Sequence, residues 1–181
     1  MSKTSVVAAK ALTSNHFELF GLVPAFALDG ARLEAAYRDI QSKVHPDRFA
    51  HAGDAERRAS MQVTTRVNEA YRTLRSPAQR ARYLLELNGV DAGFETNTSM
   101  PRDFLMQQME LREKLEEAKK GPDLDSISRG LAVERREIEK NIQEQIDRKR
   151  DFAAAKDLVR KLMFLEKFGE EIDAAHEALD G

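Results

Sequence analysis

Leu33, Tyr37, Ile40 and Val44 recur at spacings of four, three and four residues, and Val63, Val67, Ala70 and Leu74 repeat that pattern further along. Each set lines one face of an α-helix. Neither stripe can leave water without a partner, so together they predict an antiparallel hairpin buried along its seam and exposed at its connecting loop. Pro46 ends the first helix, because it lacks an amide donor and drives His45 out of the helical region. The polar segment between the stripes therefore displays His45-Pro46-Asp47. Short helices flank the hairpin. Gly21 and Pro24 stop one before it, Asp29 is placed to cap the helix that follows, and a last one opens at Pro77 and stops at Asn88-Gly89.

Residues 90–101 form a linker rich in Asn, Thr and Ser, ending at Pro101. Three long helical stretches follow, about Arg102–Lys120, Asp123–Lys149 and Asp151–Leu179, with Gly121-Pro122 as the break between the first two. Ile127, Leu131, Ile138 and Ile142 repeat at near-heptad spacing, which predicts an antiparallel three-helix bundle. No β-branched run has period two, so the expected fold class is all-α. The organisation is a patternless extension over 1–14, a helical-hairpin domain over 15–89, the linker, and a bundle over 102–181.

Composition narrows the chemistry. The chain has no cysteine, so disulfides, thiolate nucleophiles and sulfur-ligated metals are excluded. Its net charge is only -2, and from Val90 onward 16 Lys/Arg face 22 Asp/Glu, which disfavours nucleic acid as a partner. No apolar run approaches the roughly 20 residues that span a bilayer. Lys10 interrupts the short apolar stretch near the start, so no secretory signal is expected and the cytoplasm is the expected location. His16, His45, Asp47 and His51 lack the second carboxylate or the helical histidine pair that would complete a catalytic or metal site. Neither an enzymatic role nor a cofactor is expected.

Taken alone, His45-Pro46-Asp47 admits a bland reading in which His45 caps a helix end and Asp47 accepts hydrogen bonds from the turn. Its setting says more. Arg48-Phe49 follows, Asn68-Glu69-Ala70-Tyr71 lies about twenty residues on, and Ser76-Pro77 with Arg80 comes after that. This arrangement, from about Asn15 to Gly89, resembles the J-domain. The resemblance implies that the loop docks on a DnaK-type chaperone and promotes ATP hydrolysis by that partner. Asp47 would offer a carboxylate to a partner arginine, His45 would orient the loop, and Pro46 would reduce its ordering entropy. Tyr37, Arg38, Lys43 and Arg48 would complete the contact face, with Tyr37 partly in the core. Glu34 and Asp39 make that face less positive than in general J-proteins, which points to a specialised chaperone.

On the helix after Pro101, Phe104, Leu111, Leu115 and Ala118 form a core stripe, whereas Leu105, Met106 and Met109 fall on the opposite side beside Glu110, Glu113 and Glu117. Apolar side chains rimmed by carboxylates describe a protein-docking patch. The alternative is that Leu105 and Met106 pack beneath the linker or the first domain. In the last helix Leu158, Leu162, Leu165 and Ile172 make the core stripe, and Phe164 lies off its centre, either joining the patch or flanking the bundle.

The stretch from Phe104 to Glu117, the Arg82-Tyr83-Leu84-Leu85 segment and Arg160-Lys-Leu-Met-Phe-Leu-Glu-Lys167 resemble the HscB family, the J-protein co-chaperones of iron-sulfur cluster assembly. With the J-domain, the resemblance covers nearly the whole chain. It implies an HscA-like chaperone and an IscU-like cluster scaffold as partners, the scaffold held by Leu105, Met106, Met109, Glu110, Glu113, Glu117 and Phe164. The missing cysteine-rich metal site of some eukaryotic members fits the bacterial type. A general J-protein presenting unfolded clients is the second reading, but the chain lacks a Gly/Phe-rich linker and cysteine zinc repeats.

Overall fold

A computed structural model of the chain describes residues 13–44, 53–91, 101–118 and 120–180, and among these every regular element is helical. The chain divides into two compact units, Met1–Arg80 and Ala81–Gly181. The division falls inside the helix Pro77–Leu87, whereas the sequence reading put the linker after Gly89.

In the first unit, helix α1 (His16–Leu19) opens with a reciprocal cap: Asn15 Oδ1 accepts from the Glu18 amide at 2.9 Å and Glu18 returns a carboxylate to the Asn15 amide at 3.0 Å. Gly21, at φ +64°, turns the chain out of it. Helix α2 (Gly30–Val44) is capped by Asp29, whose Oδ1 accepts from Ala31 and Arg32 as the sequence predicts. Helix α3 (Asp54–Arg75) carries Asp54 and Glu56 in its first turn and Arg72 and Arg75 in its last, matching the helix dipole. Facing pairs run in opposite order along α2 and α3: Glu34 meets Tyr71, Tyr37 meets Asn68, and Val44 meets Ser60. The hairpin is antiparallel.

Val63, Val67, Ala70 and Leu74 are all buried, as are Leu33 and Val44, while Tyr37 and Ile40 are half-buried at the seam. Phe17, Phe20 and Phe26 complete this core. Helix α4 (Pro77–Leu87) starts with Pro77 and with Ser76 Oγ accepting from the Gln79 amide at 3.1 Å. From its first turn Arg80 reaches back, donating to the carbonyls of Leu74 at 2.6 Å and Phe26 at 2.8 Å. It thus satisfies an acceptor that the end of α3 leaves open. Gly89, at φ +72°, ends α4 after Asn88 Nδ2 has donated to the Leu84 carbonyl.

The second unit contains α5 (Arg102–Glu117), α6 (Gly121–Gln143) and α7 (Phe152–Asp180), and a π-helical turn, Glu144–Arg148, extends α6. Asp125 faces His176 and Arg135 faces Glu166, so α6 and α7 run antiparallel. Phe104 meets Phe164 and Arg112 meets Glu171, so α5 runs parallel to α7. This is the expected three-helix bundle. Several details differ from the sequence reading. Gly121-Pro122 does not separate two helices but opens α6, because proline is tolerated where the amide would be unsatisfied anyway; α5 has already ended at Glu117. The α7 core comprises Ala155, Val159, Leu162, Leu165, Phe168 and Ile172, with Leu158 only half-buried. Buried Ile146 continues the α6 stripe into the π turn.

Leu74 has no solvent exposure, so Leu74→Ala should lower stability by about 2–5 kcal/mol. Val133, 61% exposed, should tolerate Ser within about 0.5 kcal/mol. Urea unfolding followed by far-ultraviolet circular dichroism would distinguish the two.

Candidate functional sites

The first candidate surface is built around the end of α2. The last carbonyls of a helix lack intrahelical partners, yet that of buried Val44 accepts from Ser60 Oγ at 2.7 Å and from Thr64 Oγ1 at 3.2 Å. Both hydroxyls come from α3. The chain is thereby pinned one residue before His45. His45, Pro46, Asp47 and Arg48 themselves lie outside the described residues, as do His51, residues 1–12 and residues 92–100 of the linker.

Tyr37, expected on the contact face, is half-buried in the seam. Its hydroxyl donates to Asn68 Oδ1 at 3.0 Å and accepts from Gln41 Nε2 at 2.7 Å, while its ring stacks on Tyr71 with centroids 4.0 Å apart. Tyr71 in turn donates to the carboxylate of Glu34. The Asn68-Glu69-Ala70-Tyr71 string is therefore a lock between the helices. Asn68 and Tyr71 supply polar contacts, and Ala70 is buried. Arg38 and Lys43 are exposed, but each is paired within its own helix, Arg38 with Glu34 at 2.8 Å and Lys43 with Asp39 at 2.7 Å. Such exposed pairs contribute only about 0.3–0.5 kcal/mol, so an approaching carboxylate can replace either one.

The second surface lies on α5. Leu105, Met106 and Met109 are 41%, 54% and 63% exposed, and Glu110, Glu113 and Glu117 are exposed beside them. All six fall within one arc of the helix. Phe164 is half-buried on α7, edge-on to buried Phe104 at 5.4 Å and stacked on Phe168 at 5.8 Å. It is thus placed beside the N-terminal half of α5, through the residue adjoining Leu105. Sequence reasoning missed Lys161, whose ammonium lies 5.4 Å from the Phe104 ring centroid. It also missed Ser60 and Thr64. Lys161 stands three residues before Phe164 on the same helix, which is the available signal; hydroxyls sixteen and twenty residues after Val44 gave none.

This all-α, two-unit architecture is that of co-chaperones with solved structures. Chaperone HscB from Vibrio cholerae matches with a TM-score of 0.81 and 36% identity over 92% of this chain and 99% of its own. Human co-chaperone protein HscB matches at 0.84 and 32% over 90% and 82%. Among curated proteins, the co-chaperone protein HscB homologue of Aromatoleum aromaticum is 53% identical over 93% of this chain and 97% of its own, and that of Burkholderia multivorans 51% over 93% and 98%. The model of the HSCB C-terminal oligomerisation domain matches residues 100–173. The chain belongs to the HscB co-chaperone family. Among the described residues no helix is long and apolar enough to cross a membrane.

The Glu34–Tyr71 contact makes the hairpin sensitive to acid. The Tyr71 hydroxyl, and after it Arg38, holds the Glu34 carboxyl below its ordinary value of 4.5. A depressed carboxylate stabilises the fold above its unfolded-state value and loses that contribution as pH falls through its folded-state value. Tyr71→Phe keeps the stacked ring and removes the donor. The stability gap between wild type and this variant should be full at neutral pH and narrow on acidification below the ordinary glutamate range, as read from urea midpoints across a pH series.

Proposed function

We propose that the chain is a non-enzymatic adaptor of iron-sulfur cluster assembly in the cytoplasm. Its His45-Pro46-Asp47 loop stimulates the ATPase of a specialised, HscA-like DnaK-type chaperone. Its α5 face recruits an IscU-like scaffold through Leu105, Met106, Met109, Glu110, Glu113 and Glu117, with Phe164 at the edge. The observation that carries the reading is the outward-facing Leu/Met patch with its carboxylate rim, in a member of the HscB family. Leucine and methionine at such exposure on a bundle helix are not explained by the unit's own core, and methionine adapts to a partner's shape. Tyr37, Arg38, Lys43 and Arg48 would flank the loop's contact with the chaperone.

The expected strength is modest. Each apolar anchor contributes roughly 1.5–3 kcal/mol when fully buried, and association costs an estimated 4–15 kcal/mol. A transient, micromolar scaffold complex suits an adaptor that must release its cargo.

His45→Gln should abolish stimulation of the chaperone ATPase while leaving the circular dichroism spectrum unchanged; undiminished stimulation would remove the loop from the mechanism. Replacing Leu105, Met106 and Met109 together by Ser, at positions already exposed, should abolish scaffold binding by calorimetry and leave scaffold-independent stimulation intact. Scaffold affinity equal to wild type would reject the patch. The purified chain alone should not turn over ATP.

A further inference from the structure

We infer that the scaffold-binding face does not end at α5 but continues into the groove between α5 and α6, where it seats a lysine or arginine of the scaffold. This rests on the proposed scaffold binding by α5. A cavity of about 400 Å³ lies there, with Glu110, Leu111 and Lys114 on the α5 side and Ile127, Gly130 and Glu134 on the α6 side. Leu111 and Ile127 are half-buried, leaving an apolar floor that the bundle does not fully cover. Glu110 belongs to both the groove and the acidic face of α5, so the two surfaces are continuous.

Gly130 is the telling residue. Glycine inside a helix lowers its stability relative to other residues, and the usual structural reason for one is close helix approach. Gly169 on α7 at least faces a neighbouring helix, where an added Cβ would make ordinary van der Waals contact with Leu131 Cδ2 at 3.6 Å. At Gly130 an added Cβ would meet nothing within 4 Å. The glycine keeps the groove open without bringing two helices together.

Size and charge select the occupant. The groove is the concave surface continuous with the exposed arc of α5. Its rim carries two carboxylates, Glu110 and Glu134, against one ammonium, Lys114. Glu134 is held in place by Gln107, which donates to its Oε1 at 2.7 Å. A long side chain with an apolar stem and a cationic head satisfies floor and rim together.

The test titrates purified IscU-like scaffold into four full-length proteins, at low and at high salt, by calorimetry: wild type, Gly130→Leu, Glu134→Gln, and the Leu105, Met106, Met109 triple Ser variant. Gly130→Leu should melt no lower than wild type, because leucine favours the helix, and should lose affinity by about tenfold. Glu134→Gln, which keeps an acceptor for Gln107, should weaken binding at low salt and flatten its salt dependence. Wild-type affinity in both groove variants, with binding lost in the triple variant, would overturn the groove and leave the α5 reading standing. Unchanged binding by the triple variant would overturn the α5 reading and the groove with it. Should Gly130→Leu weaken binding while Glu134→Gln leaves affinity and salt dependence untouched, the cationic occupant is wrong. If Gly130→Leu unfolds, Glu134→Gln decides alone.

Discussion

Two hydroxyls on α3 hold the carbonyl of Val44, and the register of α2 against α3 depends on that bond pair and others like it. Apolar stripes alone would let two helices slide by a turn at small cost, since one leucine or valine contact resembles the next. Buried and half-buried polar groups do not slide so easily, because each one that loses its partner costs up to about 1–3 kcal/mol, the most where burial is complete. The seam of the first unit has such groups along its length: Val44 with Ser60 and Thr64, Tyr37 and Gln41 with Asn68, and Tyr71 with Glu34. A one-turn shift would break all three sets together. The register of α2 on α3 is therefore fixed as far as Val44.

The second unit solves a different problem. Helices α6 and α7 share a continuous core, from Leu124, Leu131, Ile138, Ile142 and Ile146 on one to Ala155, Val159, Leu162, Leu165, Phe168 and Ile172 on the other. Helix α5 commits one fully buried large side chain, Phe104, half-buries Leu111 and Leu115, and is tied further by polar contacts, Gln107 to Glu134 and Arg112 to Glu171 at 3.8 Å. A helix fastened along one edge keeps the rest of its circumference available. That is how a bundle can present Leu105, Met106 and Met109 to solvent without weakening its own core, and why a groove persists beside α6.

Much of this was legible beforehand where periodicity and punctuation agree. Asp29, Pro77 and Gly89 mark helix ends by local chemistry, and the structure places each in that role. The stripe from Val63 to Leu74 is buried throughout because one dominant partner faces it. The reading failed where tertiary contacts override spacing. Leu158 shares the buried arc of Leu162 and Leu165 but is only half-buried, since it lies on α7 before the level at which Phe104 of α5 meets Phe164. Gly121-Pro122 reads as a break but serves as a helix start. The α5 patch was legible as an amphipathic anomaly, whereas the hydroxyl clamp on Val44 was not, because its partners are distant in sequence and serine and threonine carry no periodic signal.

The two surfaces also differ in how they would discriminate. Arg38 and Lys43 are neutralised by Glu34 and Asp39 on their own helix, so the approach to the loop carries little net field to attract a chaperone from a distance. Recognition at that end would then rest on short-range fit. On α5, Glu110, Glu113 and Glu117 have no ion-pair partner among the described residues, so their field extends outward until salt screens it, over about 8 Å at physiological strength. An adaptor built this way would attract its cargo electrostatically and select its ATPase sterically.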